Sequence, residues 1–176
     1  MLPRTFDKIL PDYEQIDAVE IDPDIVEIAK EYFFFQPNDK LKVHILDGFE
    51  FVMSLDEKQT YDLIIMDAFA ETFCAPDVFF NVKYVSKLKE QLTPNGILSV
   101  NTLLDCERHE EELSLYKSVF DDYFISDIVA INRIMFLFNS QLPCMKQIKK
   151  NAKTMKSLFS SLDISTKWIL DYGFRS

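Results

Sequence analysis

The feature of this sequence that most constrains its fold is an alternation of short apolar runs with segments of helical period. The apolar runs between residues 15 and 101 are QIDAVEI, KVHIL, YDLIIMD and GILSVN. The segments between them are PDIVEIAKEYF, DGFEFVMSL and DVFFNVKYVSKLKEQL, which have the apolar spacing of helices. Because strands separated by single helices run parallel, the alternation predicts an α/β fold with a mainly parallel sheet and helices on both faces.

Two later stretches refine this prediction. After Ala75, long or apolar side chains recur at steps of three or four residues, which predicts a helix that the stretch TPNG ends: Val78, Val82, Val85, Lys89 and Leu92. Beyond Asn101, YFISDIVA and RIMFLFN are typical of two strands with almost nothing between them. Only a hairpin fits so short a connection, so we expect an antiparallel pair at the end of the sheet.

Length and charge limit the class of protein. A chain of 176 residues with 48% hydrophobic residues predicts one domain spanning residues 1–176. A formal net charge of -10 disfavours nucleic acid and anionic membranes as ligands and favours a cationic partner. The sequence has no apolar run near the roughly 20 residues of a membrane span, and its start lacks the apolar core of a signal peptide. We therefore expect a cytoplasmic protein.

Cysteine and histidine content argues against metal binding. Cys74, Cys106 and Cys144 are widely spaced and lack a CxxC pairing, so we expect three unpaired thiols in a reducing compartment and no zinc framework. His44 and His109 are the only histidines in the sequence. The sequence therefore predicts no metal site.

Acidic residues close three of the predicted strands: Glu20, Asp47 and Asp67. In open parallel sheets, ligands bind outside the carboxyl ends of the strands, so these positions are candidates for a site. Asp22 is expected to cap the following helix, which leaves Glu20 for the vicinal hydroxyls of a ribose. The alternative is that Glu20 and Asp67 are solvated acids in turns and that Asp47 is a helix cap.

AVEIDPDIVEIAKEYF, VHILDGFEF, YDLIIMDAF and LTPNGILSVN, in this order and spacing, resemble the spermidine-synthase-like branch of the class I S-adenosylmethionine-dependent methyltransferases. Within that branch the pattern is most similar to the C-terminal domain of the dual methyltransferase of translation elongation factor 1A. The resemblance implies a Rossmann-like, mostly parallel class I methyltransferase sheet with a C-terminal antiparallel hairpin. It also implies S-adenosylmethionine as cofactor and an N-terminal amine or lysine of a protein as substrate.

The resemblance assigns a role to each matching residue. It implies that Glu20 binds the ribose hydroxyls of the cofactor, with Asp22 in a supporting role. Asp47 would accept a hydrogen bond from the adenine amino group, and Gly48 would lie along the adenine edge. Asp67 would lie beside the reacting centre and orient the incoming amine.

The glycine-rich loop that follows the first strand in such enzymes has no counterpart here, because the chain has only Gly48, Gly96 and Gly173. LPRTFDKILP resembles the helix after that loop, so we expect a chain that is incomplete at its N-terminus and lacks the first strand and the glycine-rich loop. A central strand buries about five side chains at about 1.5–3 kcal/mol each. We therefore expect the isolated chain to be poorly stable and to bind the cofactor weakly.

Three functions remain open at this point. The first is methyl transfer to a protein amine, with elongation factor 1A as a candidate substrate. The second is aminopropyl transfer to a polyamine, as in spermidine synthases, although Ala70 stands where those enzymes carry a second aspartate. The third is an inert fragment that serves as an interaction module.

Overall fold

The computed structural model describes residues 13–70, 74–128, 131–144, 146–151 and 153. The chain divides into two compact units, Met1–Ser54 and Leu55–Ser176. The expected helix LPRTFDKILP lies outside the described residues. One domain spanning residues 1–176 remains a prediction.

The first unit contains two parallel strands and two helices. Strand β1 is Ile16–Glu20, helix α1 is Pro23–Phe33, strand β2 is Leu41–Ile45 and helix α2 is Gly48–Ser54. The two strands pair in parallel, with Ile16 opposite Leu41 and Glu20 opposite Ile45. Because the strands are parallel and in this register, both carboxyl ends lie at the same edge of the sheet.

The second unit contains a four-stranded sheet in the order β3-β4-β6-β5. Its strands are β3 (Tyr61–Met66), β4 (Leu92–Leu103), β5 (Asp122–Ile128) and β6 (Asn132–Phe138). Its helices are α3 (Val82–Glu90) and α4 (His109–Val119), a 3-10 turn covers Asp77–Phe79, and residues 146–151 are also helical. Strands β3 and β4 are parallel, whereas β4, β6 and β5 pair antiparallel. The predicted α/β class and the predicted C-terminal hairpin are therefore confirmed.

The helix predicted after Ala75 is present, but its predicted apolar face is right for Val85 and wrong for Val78 and Val82. Val78 lies in the 3-10 turn at 48% exposure, and Val82 is 56% exposed. Helix α3 begins only at Val82, because the side chain of Asn81 accepts a hydrogen bond from the backbone N–H of Lys83 (2.8 Å) and caps it. This start sets the face that is buried, which consists of Tyr84, Val85 and Leu88.

The stretch TPNG does not end that helix in a loop, as its residues predict. Strand β4 runs from Leu92 through this stretch to Leu103, and its pairing with β3 shifts register between Tyr61 and Leu63. The irregularity accommodates the turn-forming residues within a strand. The core of the second unit is built on β4, with Leu98 fully buried and Val100 2% exposed.

A carboxyl group is buried in this core. Glu112, in the first turn of α4, is 4% exposed. Burial raises its pKa from 4.5 to about 7, and the positive charges of Arg108 and His109 offset only part of that rise. The protonated form of Glu112 is therefore favoured in the folded protein.

The expectation of three unpaired thiols is wrong for two of the cysteines. Cys74 and Cys106 form a disulfide, with their Cα atoms 5.1 Å apart, and Cys144 is exposed and free. The pairing was not evident from the sequence because the two cysteines are 32 residues apart and meet only once the sheet has formed. In the part of the chain that the structure describes, no helix is long and apolar enough to span a membrane.

Candidate functional site

Glu20 and Asp22 form one connected arrangement at the carboxyl end of β1. The backbone N–H of Asp22 donates a hydrogen bond to Glu20 Oε1 (3.0 Å). Asp22 is the N-cap of α1, since its Oδ1 accepts from the backbone N–H of Asp24 (2.8 Å), and Pro23 is the first helical residue. Asp22 thus caps the helix and positions Glu20. Among the described residues, no donor contacts the second oxygen of Glu20, which is free to accept from a ligand.

Asp47 and Gly48 lie at the same edge of the first unit. The backbone N–H of Leu46 donates to the carbonyl oxygen of Glu20 (3.1 Å), so Asp47 follows directly beside the end of β1. Asp47 Oδ1 accepts from the backbone N–H groups of Phe49 (2.7 Å) and Glu50 (3.3 Å) at the start of α2. One carboxylate oxygen caps the helix, and the other is not engaged by a described residue.

Exposed apolar side chains accompany these carboxylates. Ile21, directly after Glu20, is 64% exposed, and Leu46, directly before Asp47, is 42% exposed. A cavity of about 410 Å³ is lined by Val19, Glu20 and apolar residues of α1, but not by Ile21, Leu46 or Asp47. Sequence reasoning missed Ile21 and Leu46 because it considered only acidic residues; their position beside the strand-end acids was the available signal. An apolar surface with two carboxylates suits a flat ring with hydrogen-bond donors at its edges.

The side chains at this edge of the first unit therefore match the hydrogen-bond donors and apolar faces of an adenosine group. A ribose presents two adjacent hydroxyl donors, and Glu20 has a carboxylate oxygen available for them. An adenine presents an amino donor and two apolar faces, which match Asp47 and the exposed Ile21 and Leu46. The structure brings Glu20, Asp22, Asp47 and Gly48 together, as the sequence predicts; that they bind a cofactor remains a prediction.

Asp67 belongs to the second unit, where it follows β3. Met66 pairs with Val100 across the parallel strands, so Asp67 and Asn101 come next to each other at the same edge. Asn101 Nδ2 donates a hydrogen bond to Asp67 Oδ1 (2.8 Å). This bond orients the exposed carboxylate of Asp67 and leaves its Oδ2 for another donor.

Asn101 is a functional candidate that sequence reasoning missed. Its Oδ1 is buried and has no hydrogen-bond partner among the described residues. A buried amide oxygen without a donor is costly, and such atoms in native structures call for an explanation. The available signal was its place at the end of the apolar run GILSVN, on the strand next to Asp67. Asn101 therefore orients Asp67, whose Oδ2 is available to an N–H group of an amine, whereas the buried Oδ1 of Asn101 is closed to a ligand.

No group of three or more His, Cys, Asp or Glu side chains that could hold a metal ion occurs in the described ranges. The carboxylates at the strand ends accept hydrogen bonds from donors such as hydroxyls and amines. Such a set binds and orients organic groups by hydrogen bonds.

Comparisons with known proteins agree with this architecture. Residues 8–129 match the spermine/spermidine synthase domain family. The human eEF1A lysine and N-terminal methyltransferase is 33% identical over 132 residues, which cover 69% of this chain and 19% of that protein. The polyamine aminopropyltransferase of Vibrio vulnificus is 28% identical over 159 residues, which cover 89% of this chain and 52% of that enzyme. The chain thus spans about half the length of one relative and a fifth of the other.

Solved structures show the same similarity. The crystal structure of human methyltransferase-like protein 13 in complex with SAH has a TM-score of 0.77 and 27% sequence identity, covering 90% of this chain and 77% of that one. A probable spermidine synthase from Corynebacterium glutamicum has a TM-score of 0.71 at 21% identity, covering 88% of this chain and 57% of that one, and it supports the fold alone.

Proposed function

Because the chain belongs to the spermine/spermidine synthase domain family, we propose that it acts in S-adenosylmethionine-dependent methyl transfer to an amine of a protein. The amine is an N-terminal amino group or a lysine side chain. The observation that carries the proposal is the exposed carboxylate of Asp67, which the side chain of Asn101 orients through Oδ1 and which keeps Oδ2 available. The similarity to a methyltransferase crystallised with SAH, which extends over 90% of this chain, supports the choice of donor.

Residues of the first unit would hold the cofactor. Glu20 would accept hydrogen bonds from the ribose hydroxyls, with Asp22 fixing the orientation of its carboxylate. Asp47 would accept from the adenine amino group at the start of α2, and Gly48 would lie along the adenine edge. When bound, S-adenosylmethionine supplies an electrophilic methyl group on a positively charged sulfur.

Asp67 and Asn101 would prepare the amine. A methyl acceptor must be neutral and aligned, because the nitrogen lone pair makes the new bond. Asp67 Oδ2 would accept an N–H of the amine, while the hydrogen bond from Asn101 Nδ2 to Asp67 Oδ1 (2.8 Å) would hold the carboxylate in orientation. Asp67 is exposed, so a proton that it takes from the amine can pass to water.

The overall charge supports a basic protein as substrate. With a net charge of -10, the chain attracts positively charged segments. The relatives named eEF1A lysine and N-terminal methyltransferases make elongation factor 1A the first candidate. Action on this factor would place the chain in the cytoplasm.

Aminopropyl transfer to a polyamine is the second candidate, because the Vibrio aminopropyltransferase matches 89% of this chain. A polyamine carries several positive charges and needs more than one carboxylate to hold it. Three residues after Asp67 this chain has Ala70, where spermidine synthases carry a second aspartate. The loop of this chain therefore lacks that carboxylate. This difference ranks aminopropyl transfer below methyl transfer. An inert interaction module is the third reading.

Calorimetric titration of S-adenosylmethionine tests the cofactor site. We expect Glu20→Ala to weaken binding at least tenfold, because a hydrogen bond to a charged group contributes about 1.5–3 kcal/mol. Glu31→Ala is the matched control, since Glu31 is exposed on the same unit. Binding that is equal in both variants, or absent in a folded chain, contradicts the cofactor site and favours the interaction module.

An activity assay separates the two chemistries. The chain is incubated with labelled S-adenosylmethionine and elongation factor 1A, and in parallel with decarboxylated S-adenosylmethionine and putrescine. We expect methylated protein and no spermidine. Asp67→Asn should lower the rate at least a hundredfold and Asn101→Ala about tenfold, at unchanged circular dichroism. Spermidine formation would instead establish the second candidate.

A further inference from the structure

The disulfide between Cys74 and Cys106 joins two segments next to the candidate site. Cys74 lies in the segment that leaves the end of β3 after Asp67, and Cys106 lies in the segment that leaves the end of β4 after Asn101. The bond therefore ties together the two chain segments that follow the paired side chains. Neither Cys74 nor Cys106 has a part in the chemistry proposed above.

Other ties between these two segments are weak. Arg108 Nη1 bonds Asp77 Oδ1 at 2.6 Å, but the Asp77 side chain is 94% exposed. The Arg108 guanidinium also lies over the ring of Phe80, 3.6 Å from its centroid. Exposed ion pairs of this kind add little stability. Among the described residues, the disulfide is the one covalent cross-link between the segments, so its state affects how firmly the Asp67 segment is held.

The two sulfur atoms differ in accessibility. Cys106 is 2% exposed, and its Sγ accepts a hydrogen bond from the backbone N–H of Arg108 (3.4 Å). Cys74 is half-buried and closer to solvent. An attacking thiolate therefore reaches the Cys74 sulfur first, and Cys106 is the leaving group, with a backbone donor beside its sulfur.

We propose that Cys74 and Cys106 form a reversible redox site, opened by a dithiol reductant, that sets the mobility of the segment carrying Asp67. Disulfides that an attacking thiolate can reach are the labile, regulatory ones, which fits a bond beside a functional segment. The link to methyl transfer rests on the proposed function; the redox chemistry and the change in mobility do not.

The reaction is a balanced disulfide exchange. One thiolate of the reductant attacks Cys74 Sγ, the bond between the two protein sulfurs breaks, and Cys106 leaves as a thiolate that takes up a proton. The second thiol of the reductant then attacks the mixed disulfide and releases Cys74 as a thiol. The protein gains two thiols and the dithiol becomes a cyclic disulfide; two molecules of reduced glutathione do the same and become oxidised glutathione, which reverses the exchange.

Thiol labelling of the full chain tests the chemistry. After equilibration with oxidised or reduced glutathione, free thiols are alkylated and peptides are analysed by mass. We expect Cys144 to be alkylated in the reduced sample and to carry glutathione in the oxidised sample, and Cys74 and Cys106 to be linked in the oxidised sample only. Failure of the linked peptide to form in oxidised glutathione, although Cys144 has taken up glutathione, would overturn the proposal.

Hydrogen exchange of the same samples tests the consequence. We expect amides of residues 67–70, 74 and 75 to exchange at least threefold faster after reduction, while peptides from residues 16–54 keep their rates. Cys74→Ser and Cys106→Ser should show the fast rate under both conditions, and Cys144→Ser should respond like the parent chain. If the linked peptide forms but the exchange rates do not change, the disulfide does not control the mobility of the segment carrying Asp67, and that part of the proposal is refuted.

The outcome is distinguishable from failure of the proposed function. If labelling and exchange respond to glutathione but neither state methylates protein, the redox site stands and the proposed methyl transfer fails. If both states methylate at equal rates while exchange differs, the segment does not control the reaction, and that part of the proposal is refuted.

Discussion

Replacing Glu112 by glutamine should make the second unit less sensitive to pH. Glu112 is 4% exposed, and burial raises its pKa from 4.5 to about 7. Between these two pH values the unfolded chain releases the proton while the folded chain retains it, so stability falls as pH rises. Below pH 4.5 both states are protonated and this group costs nothing; above pH 7 the folded state carries the full penalty.

The size of the effect follows from the two pKa values. A shift of one pKa unit corresponds to about 1.4 kcal/mol, so the full penalty is about 3 kcal/mol. From pH 5 to pH 8, we expect Glu112→Gln to gain about 2.5 kcal/mol of unfolding free energy relative to the parent chain. Every other titrating group is shared by the two proteins and cancels in this difference.

Urea unfolding followed by circular dichroism at pH 5, 6, 7 and 8 measures the difference. Glu107→Gln is the matched control, because Glu107 is exposed in the segment before α4 and should give a flat difference. A difference that stays constant for Glu112→Gln, or that rises equally for Glu107→Gln, would show that the buried carboxyl is not the cause.

Three further substitutions test the packing of the second unit by the same unfolding assay. Gly96→Ala should destabilise by about 1–3 kcal/mol, because its Cβ would lie 2.9 Å from the carbonyl oxygen of Tyr61; an unchanged midpoint would contradict this close approach. Asn81→Ala should cost about 1 kcal/mol through loss of the cap on α3, and Asn81→Asp should retain most of the stability. Leu88→Ala should cost about 2–5 kcal/mol, since Leu88 is fully buried; a cost below 1 kcal/mol would mean that the core collapses around it.

The features that sequence could predict are those set by neighbouring residues. Asp22 before Pro23 is a local signal for a helix start, and the structure shows that cap. The hairpin was predictable because the two apolar runs leave no room for a helix between them. It was predictable that Glu20 and Asp47 lie at the same edge of the sheet, because this follows once their strands are parallel neighbours.

The features that sequence could not predict depend on contacts between distant segments. Asn101 is a functional candidate because its side chain bonds Asp67. The two residues meet through the pairing of β3 with β4, which the sequence does not specify. Cys74 meets Cys106 only when both follow adjacent strands. The buried face of α3 depended on one residue, because a start at Asn81 rather than near Ala75 changes which side chains face the sheet.

Strand β3 exposes apolar side chains at the edge of its sheet. Its sequence YDLIIM is typical of a strand covered on both faces inside a parallel sheet. In the second unit, however, β3 is an outer strand of the four-stranded sheet, and Leu63 and Ile65 are 42% and 39% exposed. An outer strand that is both apolar and exposed promotes pairing with other chains. We therefore expect the chain to associate as its concentration rises, and a charged residue in place of Ile65 should reduce that association.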